Sequence, residues 1–145
     1  MDADLTPEQY QDLAEFRRRI RGFLHFSEAT AKEHGVEPQQ HQLLLALRGL
    51  PGDVKPTIGE LAARLFIQHH SAVELVNRLE RTGAILRKVG EEDRRQVLLQ
   101  LTPLGKTVLR KLAVAHRDEL ESAGPGLARA LQSVLRHSRK AAASE

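Results

Sequence analysis

The sequence predicts a mostly helical protein with a single β-hairpin. Apolar residues recur every three or four positions over most of the 145 residues, which is the period of an α-helix. Only residues 84–89 and 97–101 are short apolar runs typical of strands, and a polar, charged segment separates them. With 41% apolar and 28% charged residues and no cysteine, a chain of this length can form a core without disulfides.

The first helix is predicted to begin at Thr6. Its hydroxyl can cap the helix, and Gln9 three residues later completes a capping box. The helix can continue to about Glu33, where His34-Gly35 stops it. The apolar stripe comprises Leu13, Phe16, Ile20, Phe23, Leu24 and Ser27. This stripe is too long to pack only against neighbouring turns, so we expect it to contribute to a partner surface.

Three shorter helices are predicted in the middle of the chain. They run from Pro38 to about Leu50, from Thr57 to about Phe66 and from Gln68 to Thr82. Thr57 and Glu60 form a second capping box at the start of the shortest one. Gly83 follows the last one and is suited to the left-handed conformation that commonly ends a helix.

The C-terminal third is predicted to be helical again. The two strands come first, joined by the charged tip of residues 90–96. Thr102-Pro103 then starts a long helix to about Ser122. Gly124-Pro125-Gly126 is expected to break this helix, and a last helix is expected over about 127–140.

The middle of the chain is predicted to have the order short helix, tight turn, longer helix and hairpin. This is the order of a winged helix-turn-helix. The predicted fold class is therefore mostly α, with long N- and C-terminal helices and one β-hairpin wing. We expect residues 1–50 and 103–145 to form the terminal helices and residues 51–102 the DNA-binding region, within a single compact domain. Because the major groove of double-stranded DNA admits one α-helix, the helix after the turn is the candidate reader of bases.

Candidate DNA contacts lie on the polar face of that helix. Residues near its N-terminus should enter the groove most deeply. Gln68 suits adenine, Glu74 can accept from cytosine N4, and Arg78 suits phosphate or guanine. The candidates on this helix are Gln68, His69, His70, Ser71, Glu74, Asn77 and Arg78. Any solvated helix face is polar, but the adjacent charged hairpin favours the functional interpretation.

The hairpin tip supplies two further candidates, Arg94 and Arg95. Both are long cations that can reach a phosphate or the neighbouring minor groove. Asp93 lies two residues before Arg95, and its carboxylate can hydrogen-bond the guanidinium and fix its direction. The alternative is an ordinary solvated charged turn.

The segment Asp93–Thr102 resembles the wing of the multiple-antibiotic-resistance regulator (MarR) family. In that family Asp-x-Arg is followed by Leu-Thr and by a glycine three residues after the threonine. The matching residues are Asp93, Arg95, Leu101, Thr102 and Gly105, and in the reading head Leu61-Ala62, Val76, Arg78-Leu79-Glu80 and Gly83. The resemblance implies that residues 1–50 and 103–145 are dimerisation helices, which hold an obligate homodimer on a pseudo-palindromic operator. It also implies repression of nearby genes, relieved when a small molecule, often an aromatic acid, binds.

The resemblance further implies a ligand pocket near His34, His41 and His116. A few members of the family sense zinc there, so a zinc-responsive regulator is one alternative function. A winged-helix module that binds protein instead of DNA is another. Isolated histidines are more often surface or hydrogen-bonded groups, and no close His-x-x-x-His pair occurs, so we expect no metal and no cofactor.

Other function classes are disfavoured. No apolar stretch approaches the roughly 20 residues of a membrane helix, and the acidic N-terminus does not look like a signal peptide, so we expect a cytoplasmic protein. No nucleophile with its base and no phosphate-binding loop stands out, which argues against an enzyme. Only 3% of residues are aromatic, which disfavours stacking of single-stranded bases. The net charge of +3 is only weak support for a nucleic-acid partner.

Overall fold

A computed structural model describes the backbone of residues 3–143 and the side chains of residues 3–138. This part of the chain forms five α-helices and one antiparallel hairpin, which confirms the predicted fold class. The elements are α1 (Pro7–Glu33), α2 (Pro38–Arg48), α3 (Ile58–Leu65), α4 (His69–Arg81), β1 (Ile85–Val89), β2 (Val97–Leu101) and α5 (Pro103–Ala143).

The predicted ends of α1 are confirmed. Thr6 N–H donates to Gln9 Oε1 at 2.8 Å, and Gln9 N–H donates to Thr6 Oγ1 at 3.2 Å, which closes the capping box. At the other end Gly35 has a φ of 73°. Val36 N–H then reaches back to the Ala31 carbonyl at 2.9 Å, the bond of a Schellman motif.

The predicted break at Gly124-Pro125-Gly126 was wrong, because α5 continues through Pro125 to Ala143. A proline inside a helix removes one backbone hydrogen bond, but it does not force the helix to end when the turns on both sides are helical. Gly126 also permits close packing. A Cβ atom on Gly126 would lie 2.7 Å from Arg19 Nη1, so the Arg19 guanidinium of α1 occupies the space that a side chain would need.

Contacts divide the chain into two compact units. The central unit is Thr30–Val114, and the terminal unit combines the residues up to Ala29 with those from Ala115 onward. These boundaries differ from the expected segments 1–50, 51–102 and 103–145. The difference arises because α1 and α5 each contribute residues to both units.

The core of the central unit is formed by α2, α3, α4, the hairpin and the first turns of α5. Strand β1 pairs with β2 from Ile85↔Leu101 to Val89↔Val97. The loop before α3 extends this sheet, because Leu99 N–H donates to the Pro56 carbonyl at 2.8 Å. The buried cluster comprises Leu43, Leu44, Leu47, Leu61, Leu75, Val76, Leu79, Ala84, Ile85, Leu99, Leu101 and Leu109.

The terminal unit has almost no core of its own. Ala130 is its single buried apolar residue in the described part of the chain. Large apolar side chains are instead exposed on both of its helices: Leu5, Tyr10, Leu13 and Leu24 in or before α1, and Leu120, Leu131 and Leu135 in α5.

Helix α1 carries a basic cluster of Arg17, Arg18, Arg19 and Arg21, which a neighbouring carboxylate partly neutralises. Glu15 accepts hydrogen bonds from Arg18 and Arg19 at 2.8–2.9 Å. These bonds, first that of Arg18 and then that of Arg19, lower the pKa of Glu15 to about 2. The cluster therefore carries its own counter-charge on the same helix face.

Candidate nucleic-acid interface

Helix α3 is capped by Thr57, as predicted, but only half of the capping box forms. Thr57 Oγ1 accepts from Glu60 N–H at 3.2 Å. The Glu60 carboxylate pairs with Arg64 Nε at 3.0 Å, and Thr57 N–H donates to the Lys55 carbonyl. The predicted hydrogen bond from Thr57 N–H to the Glu60 carboxylate was therefore wrong, because that carboxylate pairs with Arg64 one turn later.

The turn between α3 and α4 is a Schellman motif with a phenylalanine at its left-handed position. Phe66 has a φ of 55°. Phe66 N–H bonds the Ala63 carbonyl at 3.3 Å, and Ile67 N–H bonds the Ala62 carbonyl at 3.1 Å. Ile67 packs against the core, while the Phe66 side chain is 96% exposed. Sequence reasoning missed Phe66, although a large apolar residue directly before a tight turn is a visible signal.

Helix α4 buries Ala72, Leu75, Val76 and Leu79, so its opposite face is open. Of the seven candidates on or before this helix, five are exposed and two are partly buried. The exposed ones are Gln68, His69, His70, Glu74 and Arg78, and the partly buried ones are Ser71 and Asn77. Their roles as DNA contacts stay predictions.

The N-terminus of α4 has an open set of backbone donors. Gln68 is the N-cap residue in an extended conformation, and among the described residues no side chain caps this end. The first turn of α4 also contains no acidic residue. By contrast, threonine hydroxyls cap α1, α3 and α5. Free N–H groups and an uncompensated helix dipole make this end attractive to anions.

Arg87 of β1 ties the hairpin to α4. Its Nη2 donates to Asn77 Oδ1 at 2.7 Å, and its Nη1 donates to Glu80 Oε1 at 3.3 Å. Asn77 was predicted as a DNA contact, and in the structure its amide oxygen accepts a hydrogen bond from Arg87. Sequence reasoning missed Arg87, because nothing in a local pattern shows which helix a strand residue will meet.

Arg78 also has an intramolecular partner. Its Nη1 lies 3.1 Å from Glu37 Oε2, at the residue that precedes α2. Both side chains are about half exposed, so the pair is a weak surface ion pair. A phosphate or base that binds Arg78 has to compete with Glu37.

The wing tip is a compact turn that fixes the direction of one arginine. Asp93 Oδ1 accepts from Arg95 N–H at 3.0 Å and from Arg95 Nε at 3.3 Å. The Arg95 side chain is nevertheless 93% exposed. Arg94 is also exposed, and it makes no ion pair within the part of the chain that the structure describes.

Two further contacts hold the wing tip in place. Gly90 N–H donates to the Gln96 carbonyl at 2.9 Å, and a Cβ atom on Gly90 would lie 2.6 Å from the Asp93 carbonyl oxygen. Lys55, which lies in the loop before α3, contacts two side chains of the wing tip. Its Nζ lies 3.3 Å from both Glu92 Oε2 and Gln96 Oε1.

The end of the wing is joined to the end of α4 through Thr102. Its hydroxyl donates to the Gly83 carbonyl and accepts from Gly105 N–H at 3.0 Å. Thr102 N–H donates to the Ala84 carbonyl at 3.0 Å. The two bonds of the hydroxyl explain why a threonine follows the second strand.

The geometry of α3, the turn, α4 and the wing agrees with a family model. The model of the MarR family matches residues 34–96, from the end of α1 to the wing tip. Over these residues the chain is similar to the MarR family. This match confirms the resemblance seen in the sequence.

A curated relative matches more of the chain than the family model does. A Thauera aromatica protein described as a transcriptional regulatory protein for the hcr operon is 31% identical over 105 residues. The match covers 71% of this chain and 61% of that protein, less than two thirds of its length.

AbsC, a MarR family transcriptional regulator from Streptomyces coelicolor, has 21% identity and a TM-score of 0.72, over 96% of this chain and 99% of its own. CouR is a transcriptional repressor whose structure was solved bound to a 23-mer DNA duplex. It has 25% identity and a TM-score of 0.66, over 92% of this chain and 97% of its own. The winged-helix fold is thus shared along nearly the whole chain.

Similarity to the MarR family also bears on the other predicted classes. The family and these relatives are regulators of transcription and not enzymes, in agreement with the sequence analysis. No helix among the described residues is long and apolar enough to cross a membrane.

The three histidines of the expected MarR-type pocket lie in different surroundings. His34 Nδ1 lies 2.9 Å from the Thr30 carbonyl oxygen at the end of α1. His41 is buried in α2, in the same central unit. His116 belongs to the terminal unit, where its Nε2 lies 2.7 Å from Ser27 Oγ and two phenylalanine rings pack edge-on against it. No three potential metal ligands come together in the described part of the chain.

Proposed function

We propose that this protein regulates transcription by binding double-stranded DNA, with α4 in the major groove and the wing on the adjoining backbone. Two observations carry the proposal together: the uncapped, exposed N-terminus of α4, and the hairpin with Arg94 and Arg95 at its tip, which Arg87 joins to the C-terminal half of the same helix. A helix end that attracts anions and a pair of exposed cations both suit phosphates. Such a protein acts in the compartment that holds the DNA, in line with the expected cytoplasmic location.

Base readout is assigned to the first turns of α4. Gln68 and Glu74 are exposed and carry the amide and carboxylate that suit adenine and cytosine edges. His69 and His70 flank the same helix end and are exposed as well. The backbone donors of this turn would bind a phosphate and set the depth at which these side chains meet the bases.

A homodimer is the proposed assembly, formed through the terminal unit. Among the described residues of this unit a single apolar side chain is buried and seven large ones are exposed, and such a layer needs a partner to cover it in water. A second copy would cover these side chains by two-fold symmetry. Two α4 helices would then read half-sites about 10 bp apart, which requires a pseudo-palindromic operator.

Ligand-responsive repression is proposed as the mode of regulation. The similarity to CouR, which is described as a repressor, supports repression. The cluster of His116 and Ser27 with the rings of Phe23 and Phe26 supports an aromatic-acid ligand, because it combines apolar faces with hydrogen-bonding groups. A thermal-shift screen of aromatic acids, with loss of DNA binding as the second readout, tests this proposal.

The decisive experiment is selection of an operator from random duplexes, followed by affinity measurements at several salt concentrations. We expect the logarithm of the association constant to fall linearly with the logarithm of salt concentration, with a slope of about 0.9 for each phosphate contacted. Arg95→Ala should weaken binding to every sequence by about 1.5–3 kcal/mol. The control is Arg117→Ala, which removes an equal charge that pairs with Asp118 in the terminal unit. Absence of salt-dependent DNA binding would overturn the proposal.

A further inference from the structure

We propose that Phe66 is a specificity-determining DNA contact that recognises the C5-methyl group of a thymine beside the bases read by α4. The inference rests on the proposed function, because it assumes that α4 enters a DNA groove. It adds an apolar contact to an interface that otherwise consists of charged and polar groups.

The backbone at Phe66 adopts a conformation that favours glycine. Three helix ends in the central unit share the same motif, with left-handed residues at Gly35, Phe66 and Gly83. Their φ angles are 73°, 55° and 81°. Two of these positions are glycine, which adopts this conformation without strain, whereas a residue with a Cβ atom is disfavoured there. The turn itself therefore gives no reason for a phenylalanine.

Packing gives no reason for the phenylalanine either. The ring is 96% exposed, whereas Leu65 and Ile67 on either side are partly buried against the core. The Schellman motif places Ile67 inward and leaves position 66 outward. A side chain that is unfavourable for the turn and absent from the core points to a contact outside the fold.

The position of Phe66 identifies the kind of contact. Phe66 lies two residues before Gln68, the N-cap of α4, at the same helix end as the open backbone donors and the exposed histidines. A partner bound at this end therefore meets the ring. In the major groove the thymine methyl group is the apolar feature that distinguishes thymine from the other bases, and phenylalanine is among the residues that contact it.

The test compares Phe66→Ala and Phe66→Gly with the unsubstituted protein on the selected operator. In a second set of duplexes each thymine is replaced in turn by deoxyuridine, which removes only the methyl group. We expect deoxyuridine at one position of each half-site to weaken binding of the unsubstituted protein about fourfold per methyl group. The same replacement should have no effect on either variant. The control is Leu45→Ala, which truncates an exposed apolar side chain of α2.

Stability measurements separate this role from a structural one. Phe66→Gly should unfold at a denaturant concentration no lower than that of the unsubstituted protein, because glycine relieves the left-handed strain. Weaker DNA binding by a variant of equal or greater stability supports the contact. Equal affinity of the variants, or weaker binding that does not depend on any thymine methyl group, overturns the inference. Either result leaves the proposed function intact, since that depends on salt-dependent binding by the unsubstituted protein.

Discussion

Gly105 in the first turn of α5 lies directly against the backbone of Ala84, so that a Cβ atom on Gly105 would sit 2.1 Å from the Ala84 carbonyl oxygen. That oxygen also accepts the Thr102 N–H bond. The start of α5 and the start of the wing are thus held together at a distance that only glycine permits. The glycine of the family pattern therefore has a steric cause.

Gly105→Ala is expected to destabilise the central unit. The added methyl group must displace backbone, so we expect a loss of about 1–3 kcal/mol in the free energy of unfolding. Urea unfolding followed by circular dichroism at a fixed protein concentration measures it. Gly59→Ala in α3 is the control, because a Cβ atom there meets nothing within 4 Å. A Gly105→Ala variant as stable as the control would contradict the steric explanation.

Asp93→Ala should weaken DNA binding less than Arg95→Ala does. Asp93 is not expected to contact DNA itself, but it holds the Arg95 backbone and guanidinium in place. In the Arg95→Ala background, removing Asp93 should cause no further loss of affinity, which a double-mutant cycle measures. Glu91→Ala removes the same charge from an exposed position of the tip and should slightly strengthen binding. Additive losses from Asp93 and Arg95 would show that Asp93 does not act through Arg95.

Asn77→Ala is expected to affect DNA binding through the wing. Because the Asn77 amide oxygen accepts from Arg87, the substitution loosens the link between α4 and β1. We expect a modest loss of stability, about 1 kcal/mol, and weaker DNA binding. In an Arg87→Ala background the Asn77→Ala effect on affinity should disappear. If it persists, Asn77 contacts DNA itself, as the sequence alone suggested.

Charged residues on the exposed apolar face of the terminal unit should prevent dimerisation. Leu131 and Leu135 lie one turn apart on α5 and are both exposed. In the proposed dimer the double substitution Leu131→Glu/Leu135→Glu places four carboxylates in one interface, so we expect monomers in sedimentation analysis at micromolar concentration. Leu45→Glu on α2 is the control for an added surface charge. A double variant that sediments like the unsubstituted protein would place the dimer interface elsewhere.

The sequence by itself determined the order and type of the elements as far as the start of α5, and much of the DNA-binding region. Apolar period, capping residues such as Thr6 and the left-handed Gly83 are local features, and local backbone geometry depends mainly on neighbouring residues. The wing motif from Asp93 to Gly105 indicated the family for the same reason, since each of its residues acts on a turn or a helix start.

Only the tertiary structure decided which distant groups meet. In the tertiary structure Arg87 contacts Asn77 and Glu80, Arg78 contacts Glu37, and Lys55 contacts Glu92. In the same structure α5 continues through Pro125, and Phe66 lies in a strained, exposed position. Periodicity reports which face of an element is apolar, but not which residue on another element lies opposite. That pairing depends on how the helices and the hairpin pack.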